Sequence, residues 1–115
     1  MTGPRIQQEL FPVLVKFRCY PVVVTADIMK MFRQILVNEE DRNFQRIFWR
    51  DRPSDPIQEF RFNTVTYGTA SAPYLATRAL YQLAYDEQNN YSLASKAVLQ
   101  NFFVDDCLVG AAQNN

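Results

Sequence analysis

Histidine is absent from this 115-residue chain, which removes imidazole as a general base and excludes most zinc sites. Only two cysteines occur, Cys19 and Cys107, and their spacing fits neither a metal-binding nor a redox motif. We expect both to be reduced, buried thiols. No apolar run reaches about 18 residues, and the N-terminus lacks the apolar core of a secretory signal. These absences predict a protein that is not secreted and has no membrane partner.

A surplus of positive charge is also missing, because 12 Lys and Arg balance 12 Asp and Glu. Proteins that bind nucleic acids normally carry such a surplus. Any binding of a nucleic-acid duplex by this chain must therefore rely on local basic patches. Four arginines recur at spacings of four, four and two: Arg42, Arg46, Arg50 and Arg52. They form either a basic strip for phosphates or solvated faces paired with the nearby acids Glu39, Glu40 and Asp51. The spacing leaves both interpretations open.

Hydrophobic residues make up 48% of the chain and charged residues 21%, a balance typical of a folded soluble domain. The length suffices for one small domain with one core. The chain has no internal repeat, low-complexity tract or linker. We therefore predict a single domain over residues 1–115.

Apolar periodicity and turn-forming residues divide the chain into segments. We predict a short helix within residues 4–20, a buried strand at 21–27, a helical turn at 28–34, an acidic helical turn capped by Asn38, a hairpin at 44–65, helices at 71–87 and 92–100, and a second hairpin at 101–111. The first long helix carries Pro73 in its first turn, where a missing N–H costs little. Ser92 is the predicted N-cap of the second.

Helical spacing also predicts which side chains are buried. In the helix at 71–87 the expected inward stripe is Leu75, Ala79, Leu80, Leu83 and Ala84. In the helix at 92–100 the expected inward residues are Leu93, Ala97 and Val98.

Two adjacent acids, Asp105 and Asp106, lie between the apolar runs 102–104 and 107–110. This pattern predicts strand, tight turn and strand, with the acids at the bend. Like charges side by side repel each other, and a hard divalent cation such as Mg²⁺ relieves that cost through oxygen ligands. The alternative is an acidic hairpin turn that simply faces solvent.

A third acid, Asp27, ends the β-branched run at residues 21–26. A carboxylate at the end of a buried strand is costly unless a charged group meets it, although Asp27 could also cap a helical turn. Asp27 lies 78 residues before Asp105. If the two strands are neighbours in one sheet, the three carboxylates meet as in a two-metal phosphoryl-transfer site. The end strands must then pair, which predicts an α+β fold with an antiparallel sheet and helices on one face.

Three segments resemble the ordered motifs of reverse transcriptases. Val24–Ile35 (VTADIMKMFRQI) is similar to the first catalytic motif, Asn63–Leu75 (NTVTYGTASAPYL) to the second, and Phe103–Asp106 (FVDD) to the third. The amino-acid sequences of these segments most resemble those of the BEL/Pao class of long-terminal-repeat retrotransposons. The resemblance spans about residues 3–112 and implies a partial right-hand polymerase palm, with the hairpin at 44–65 on its fingers side.

The resemblance implies an RNA-directed DNA polymerase that transfers a nucleotide from a dNTP to a primer 3′-hydroxyl by a two-Mg²⁺ mechanism, with Mn²⁺ as a substitute. Asp27 and Asp105 would bind the ions, Asp106 would assist them, and the Ile28 backbone would contribute a metal or phosphate contact. The implied partners are dNTPs, an RNA or DNA template with its primer, and the rest of a retrotransposon polyprotein. The implied location is a cytoplasmic retroelement particle or the nucleus.

Further roles follow from the same resemblance. Phe32 would pack under the sugar of the incoming nucleotide, and Tyr67 and Gly68 would contact that nucleotide. Many retroviral relatives carry Gln where this chain has Tyr67. Arg46, Arg50 and Pro73 are candidate template contacts.

Upstream fingers strands, a thumb and a ribonuclease H domain do not fit within 115 residues, so we expect a fragment of a polyprotein. Two alternatives stay open. One is an inactive remnant of a retroelement. The other is an unrelated metal-dependent phosphotransferase or nuclease that uses the same three acids.

Overall fold

The computed structural model describes residues 2–112. These residues form three α-helices, five β-strands and two short 3₁₀ segments. In chain order the elements are α1 (Leu10–Arg18), β1 (Val22–Asp27), a first 3₁₀ turn (Met31–Gln34), a second 3₁₀ turn (Glu39–Phe44), β2 (Arg46–Trp49), β3 (Gln58–Arg61), α2 (Ala72–Asp86), α3 (Ser92–Asn101), β4 (Phe102–Phe103) and β5 (Asp106–Ala111). The α+β class is thereby confirmed.

The main sheet is antiparallel, with the strand order β1-β5-β4. β1 and β5 pair along their full length, from Val22 opposite Ala111 to Asp27 opposite Asp106. This pairing confirms the expectation that strands from the two ends of the chain are neighbours. No local sequence pattern specifies this pairing, because strands pair where the register brings their side chains into contact.

Helices pack against one face of β4 and β5 in this sheet. Phe102 and Cys107 are opposite each other in the β4–β5 register, and both are buried. α1 and α3 pack against β4 and β5, and the burial of this pair places the helices on that face. Asp27 and Asp106, one residue further along their strands, point to the other face because side chains alternate.

A second, two-stranded sheet consists of β2 and β3, with Arg46 opposite Arg61 and Trp49 opposite Gln58. It confirms the predicted hairpin at 44–65, although each of its strands has only four residues. Beyond β3 the chain pairs elsewhere, because Thr64 forms an isolated bridge with Leu36.

The core of the described residues is small. The buried apolar residues are Val13, Met31, Val65, Ala72, Ala76, Ala84, Phe102 and Cys107. The radius of gyration is 18.4 Å and the longest dimension 67 Å, whereas a compact domain of this length has a radius of roughly 13 Å. The molecule is therefore elongated, and much apolar surface stays in contact with water.

Several burial predictions are wrong for this reason. All six residues of β1 are exposed, because among residues 2–112 the helices pack chiefly against β4 and β5 and not against β1. Leu75 and Leu83 of α2 and Leu93 of α3 are exposed too. The buried face of α2 carries Ala84, as predicted, together with Ala72, Ala76 and Thr77. Small side chains allow close approach of a neighbouring element, and α2 packs against α3 and the first 3₁₀ turn.

Two smaller expectations also need correction. Tyr91, not Ser92, occupies the N-cap of α3, and its side chain makes no capping bond. Cys19 is exposed at the end of α1, whereas Cys107 is buried as expected, and both thiols are free. Between residues 2 and 112, no helix is both long and apolar enough to cross a bilayer.

Candidate functional site

Three carboxylates converge at one end of the main sheet. Asp27 ends β1, Asp105 lies in the β4–β5 turn and Asp106 begins β5. Asp27 and Asp106 are register partners, and one carboxylate oxygen from each of the three residues lies within 4.8 Å of the others. The predicted convergence is confirmed, and Asp27 is not a helix cap, since the following 3₁₀ turn is capped by Lys30.

The main chain holds the acidic turn against β1. The Ile28 N–H donates to the Asp105 carbonyl at 3.0 Å, which extends the β1–β5 pairing past Asp27. This amide is therefore engaged within the protein. A metal contact from Ile28 would use its carbonyl, which accepts from the Met31 N–H at 3.1 Å and keeps a second lone pair.

The acidic turn contains a strained residue. Phe103 pairs with Asp106, so the loop consists of Val104 and Asp105 alone. Val104 has φ of +59°, a region that β-branched residues avoid. Two-residue hairpin loops require positive φ at this position and usually have Gly there. Strain of this kind persists where the surrounding structure imposes it, and it clusters at functional sites.

The charge of the cluster is not neutralised by the protein. Asp27 and Asp106 are exposed and Asp105 is half-buried. Among residues 2–112, no side-chain hydrogen bond or ion pair involves these carboxylates. Three oxygen donors at this spacing suit a hard cation, which needs carboxylate ligands and completes its shell with water or phosphate. The donor set therefore fits Mg²⁺ or Mn²⁺.

The thiol nearest this cluster in sequence does not add a ligand. Cys107 is 8% exposed and alternates to the helix-covered face of β5. Burial raises the pKa of its thiol above the ordinary value, so the thiol stays protonated near neutral pH. Metal coordination requires the thiolate, so the site has oxygen ligands only.

Two aromatic residues from distant segments meet beyond β1. Phe32 lies in the first 3₁₀ turn, and Tyr67 precedes Gly68 in the loop before α2. Their ring centroids are 4.6 Å apart with an interplanar angle of 86°. Gly68 has φ of +82°, and no heavy atom lies within 4 Å of the position a Cβ would occupy. The structure thus brings together the candidate nucleotide contacts Phe32 and Tyr67, beside open space at Gly68.

The candidate template contacts lie on two different elements. Arg46 begins β2 and Arg50 directly follows it, while Pro73 is exposed in the first turn of α2. Arg46 forms an ion pair with Glu59 and donates to Asn43 at 2.8 Å. Its partner is therefore a cross-strand acid, not one of the three acids considered from the sequence.

Two of those neighbouring charges have other partners. Arg42 donates to the Val37 carbonyl at 2.8 Å, and Asp51 accepts from the Trp49 indole at 3.0 Å. Among residues 2–112, none of the four arginines forms a salt bridge with Glu39, Glu40 or Asp51, so the predicted pairing with these acids is not observed. Sequence spacing alone does not show this, because the cross-strand register decides which side chains face each other.

An open groove of about 690 Å³ runs beside α2, and sequence reasoning missed it. Its apolar lining includes Leu36, Phe44, Val65, Leu75 and Ala79. The available signal was the apolar stripe of α2, which helical spacing assigned to the core. Over the described residues, Leu75 and Leu83 of that stripe are exposed, whereas Ala84 is buried.

Comparisons of the chain with protein-family models, with curated proteins and with solved structures found no match in any of the three.

Proposed function

We propose that this chain is the palm part of an RNA-directed DNA polymerase encoded by a retrotransposon of the BEL/Pao type. One observation carries the proposal: carboxylates from two motifs 78 residues apart lie within 4.8 Å of each other. The order and the amino-acid sequences of the three motifs resemble those of reverse transcriptases. The antiparallel sheet that joins the first and third motifs is compatible with a polymerase palm.

The reaction would be attack of a primer 3′-hydroxyl on the α-phosphorus of a dNTP. A new P–O bond forms, the bond to pyrophosphate breaks, and the hydroxyl loses its proton. Asp27, Asp105 and Asp106 would hold the divalent cations, which when bound would neutralise phosphate charge. The protein's own contribution is then to position acids, sugar and phosphates, since phosphoryl transfer needs little covalent chemistry from the enzyme.

Other parts of the chain would hold the substrates. Phe32 would lie under the sugar of the incoming nucleotide, and the open backbone at Gly68 admits a close approach by a ligand. Arg46, Arg50 and Pro73 would face the template. The partners would be a primed RNA or DNA template, dNTPs and the remainder of the polyprotein.

A primer-extension assay on the 115-residue chain tests this function. With Mg²⁺ and a labelled primer on an RNA template, we expect addition of nucleotides that is abolished in Asp105→Asn. Glu40→Gln is the matched control, since Glu40 is an exposed acid in the second 3₁₀ turn. Extension that persists in Asp105→Asn and Asp27→Asn would refute the proposed role of the acids.

The second candidate is an inactive remnant that folds without catalysing synthesis. The small buried core and the 67 Å length favour this candidate. Ordering the substrates costs free energy, and a poorly packed chain offsets less of that cost than a rigid one. The same assay separates the two candidates. A remnant would show no extension under any metal condition, even if the carboxylates bind Mg²⁺.

A further inference from the structure

A short antiparallel contact joins two segments that are about 30 residues apart in the chain. The Val65 N–H donates to the Ile35 carbonyl at 2.9 Å, and the Val37 N–H donates to the Asn63 carbonyl at 2.9 Å. Val65 is 2% exposed, so its side chain anchors the contact in the core. The residues just outside this contact are consequently held at fixed positions relative to each other.

Phe32 and Tyr67 are those residues. The Phe32 carbonyl accepts from the Ile35 N–H at 3.4 Å, and the adjacent Met31 is buried. The Tyr67 loop is closed on itself, because the Thr69 hydroxyl donates to the Thr66 carbonyl at 2.9 Å. Each ring therefore starts from a constrained backbone, and the two rings meet edge to face at 4.6 Å.

Burial does not explain the position of Tyr67. Its side chain is 56% exposed, and among residues 2–112 its one aromatic contact is with Phe32. Edge-to-face pairs favour a particular ring orientation in addition to the area they bury. A ring that remains this exposed gains little from the core, so the contact acts chiefly on its partner.

We infer that Tyr67 is a positioning residue that holds the Phe32 ring in the orientation that distinguishes deoxyribonucleotides from ribonucleotides. This inference rests on the proposed function, in which Phe32 lies under the sugar. Without the Tyr67 ring, the Phe32 side chain can rotate away from the sugar, and a 2′-hydroxyl is then accommodated. The Tyr67 hydroxyl is not part of the contact between the ring centroids, so a phenyl ring should serve equally well.

Single-nucleotide incorporation by the full chain tests the inference. The measured quantity is the ratio of kcat/KM for a deoxyribonucleotide to that for the ribonucleotide of the same base. We expect Tyr67→Phe to keep this ratio and Tyr67→Leu to lower it by about two- to tenfold. The lower ratio should include faster use of the ribonucleotide. Tyr85→Leu, which removes a tyrosine that is 50% exposed on α2, is the control.

An unchanged ratio in Tyr67→Leu, or a loss in Tyr67→Phe equal to that in Tyr67→Leu, would overturn the inference while leaving polymerisation intact. Tyr67→Gln gives a second variant without a ring if Tyr67→Leu folds poorly.

Equilibrium binding separates this failure from failure of the proposed function. dCTP and CTP are titrated into the chain with Ca²⁺, which supports binding without incorporation. Tighter binding of dCTP than of CTP, lost in Tyr67→Leu, supports the inference even if no primer extension is seen. Equal binding of both nucleotides by the original chain, no binding of either, or a preference that survives in Tyr67→Leu, overturns it.

Discussion

Asp27→Asn should make the metal-free protein more stable, although the substitution removes a charge from the candidate active site. Asp27, Asp105 and Asp106 place carboxylate oxygens within 4.8 Å of one another, and among the described residues none of them forms an ion pair. Two unit charges at that distance repel by about 0.9 kcal/mol in water. Salt at 0.15 M has a Debye length of about 8 Å and reduces this to about 0.5 kcal/mol per pair.

Asp27 takes part in two such pairs, so the predicted gain on its neutralisation is about 1 kcal/mol. For a domain of this size that gain corresponds to a rise of about 4 °C in Tm. In the presence of Mg²⁺ the original chain should be more stable than Asp27→Asn. A cation at ten times its Kd stabilises the original chain by about 1.4 kcal/mol, whereas the variant has lost one of three ligands.

The assay is thermal unfolding followed by circular dichroism, in EDTA and in MgCl₂ at matched ionic strength. Glu40→Gln removes one exposed negative charge outside the cluster and should show neither effect. The reasoning is refuted if Asp27→Asn is no more stable than the original chain in EDTA. It is also refuted if Mg²⁺ raises the Tm of both proteins equally.

Two further predictions concern stability. Val104→Gly should stabilise the protein by about 0.5–1 kcal/mol, because relief of a positive φ (about 1–2 kcal/mol) exceeds the entropic cost of Gly (about 0.5–1 kcal/mol). Urea unfolding measures this, with Val23→Gly in β1 as the control that should destabilise, and a less stable Val104→Gly would contradict the strain. Burial raises the pKa of the Cys107 thiol. The free energy of unfolding should therefore be constant below the ordinary thiol pKa of about 8.5 and should decrease as the pH rises above that value. Cys107→Ala should lack this decline between pH 7 and 9.5 in the same urea assay, and an equal decline in both proteins would assign it to another group.

Local patterns were sufficient to predict most elements. The β-branched run before Asp27, the alternation on each side of Asp105 and the apolar spacing in residues 71–87 each correspond to an observed strand or helix. Such patterns depend on backbone preferences and neighbouring residues, which a sequence contains in full. The bounds differ by a few residues, as at β3, because pairing partners decide where a strand ends.

Burial was predicted less well, since it depends on what covers a surface. Leu83 and Leu93 have the spacing of inward residues, yet they are 58% and 84% exposed. Helical periodicity shows that apolar side chains share a face. It does not show how much of that face another element covers, and within residues 2–112 Leu83 and Leu93 stay mostly uncovered.

The sequence by itself determined the types of chemistry available to this protein: carboxylate oxygens at the ends of two strands, no imidazole, and the aromatic rings of Phe32 and Tyr67. Only the tertiary structure decided which of these groups meet. The β1–β5 register put Asp27 opposite Asp106, the bridge at Leu36 and Thr64 put Phe32 against Tyr67, and the β2–β3 register gave Arg46 its partner Glu59. The physical reason is that pairings between distant segments depend on register and packing across the whole chain, and a local pattern contains neither.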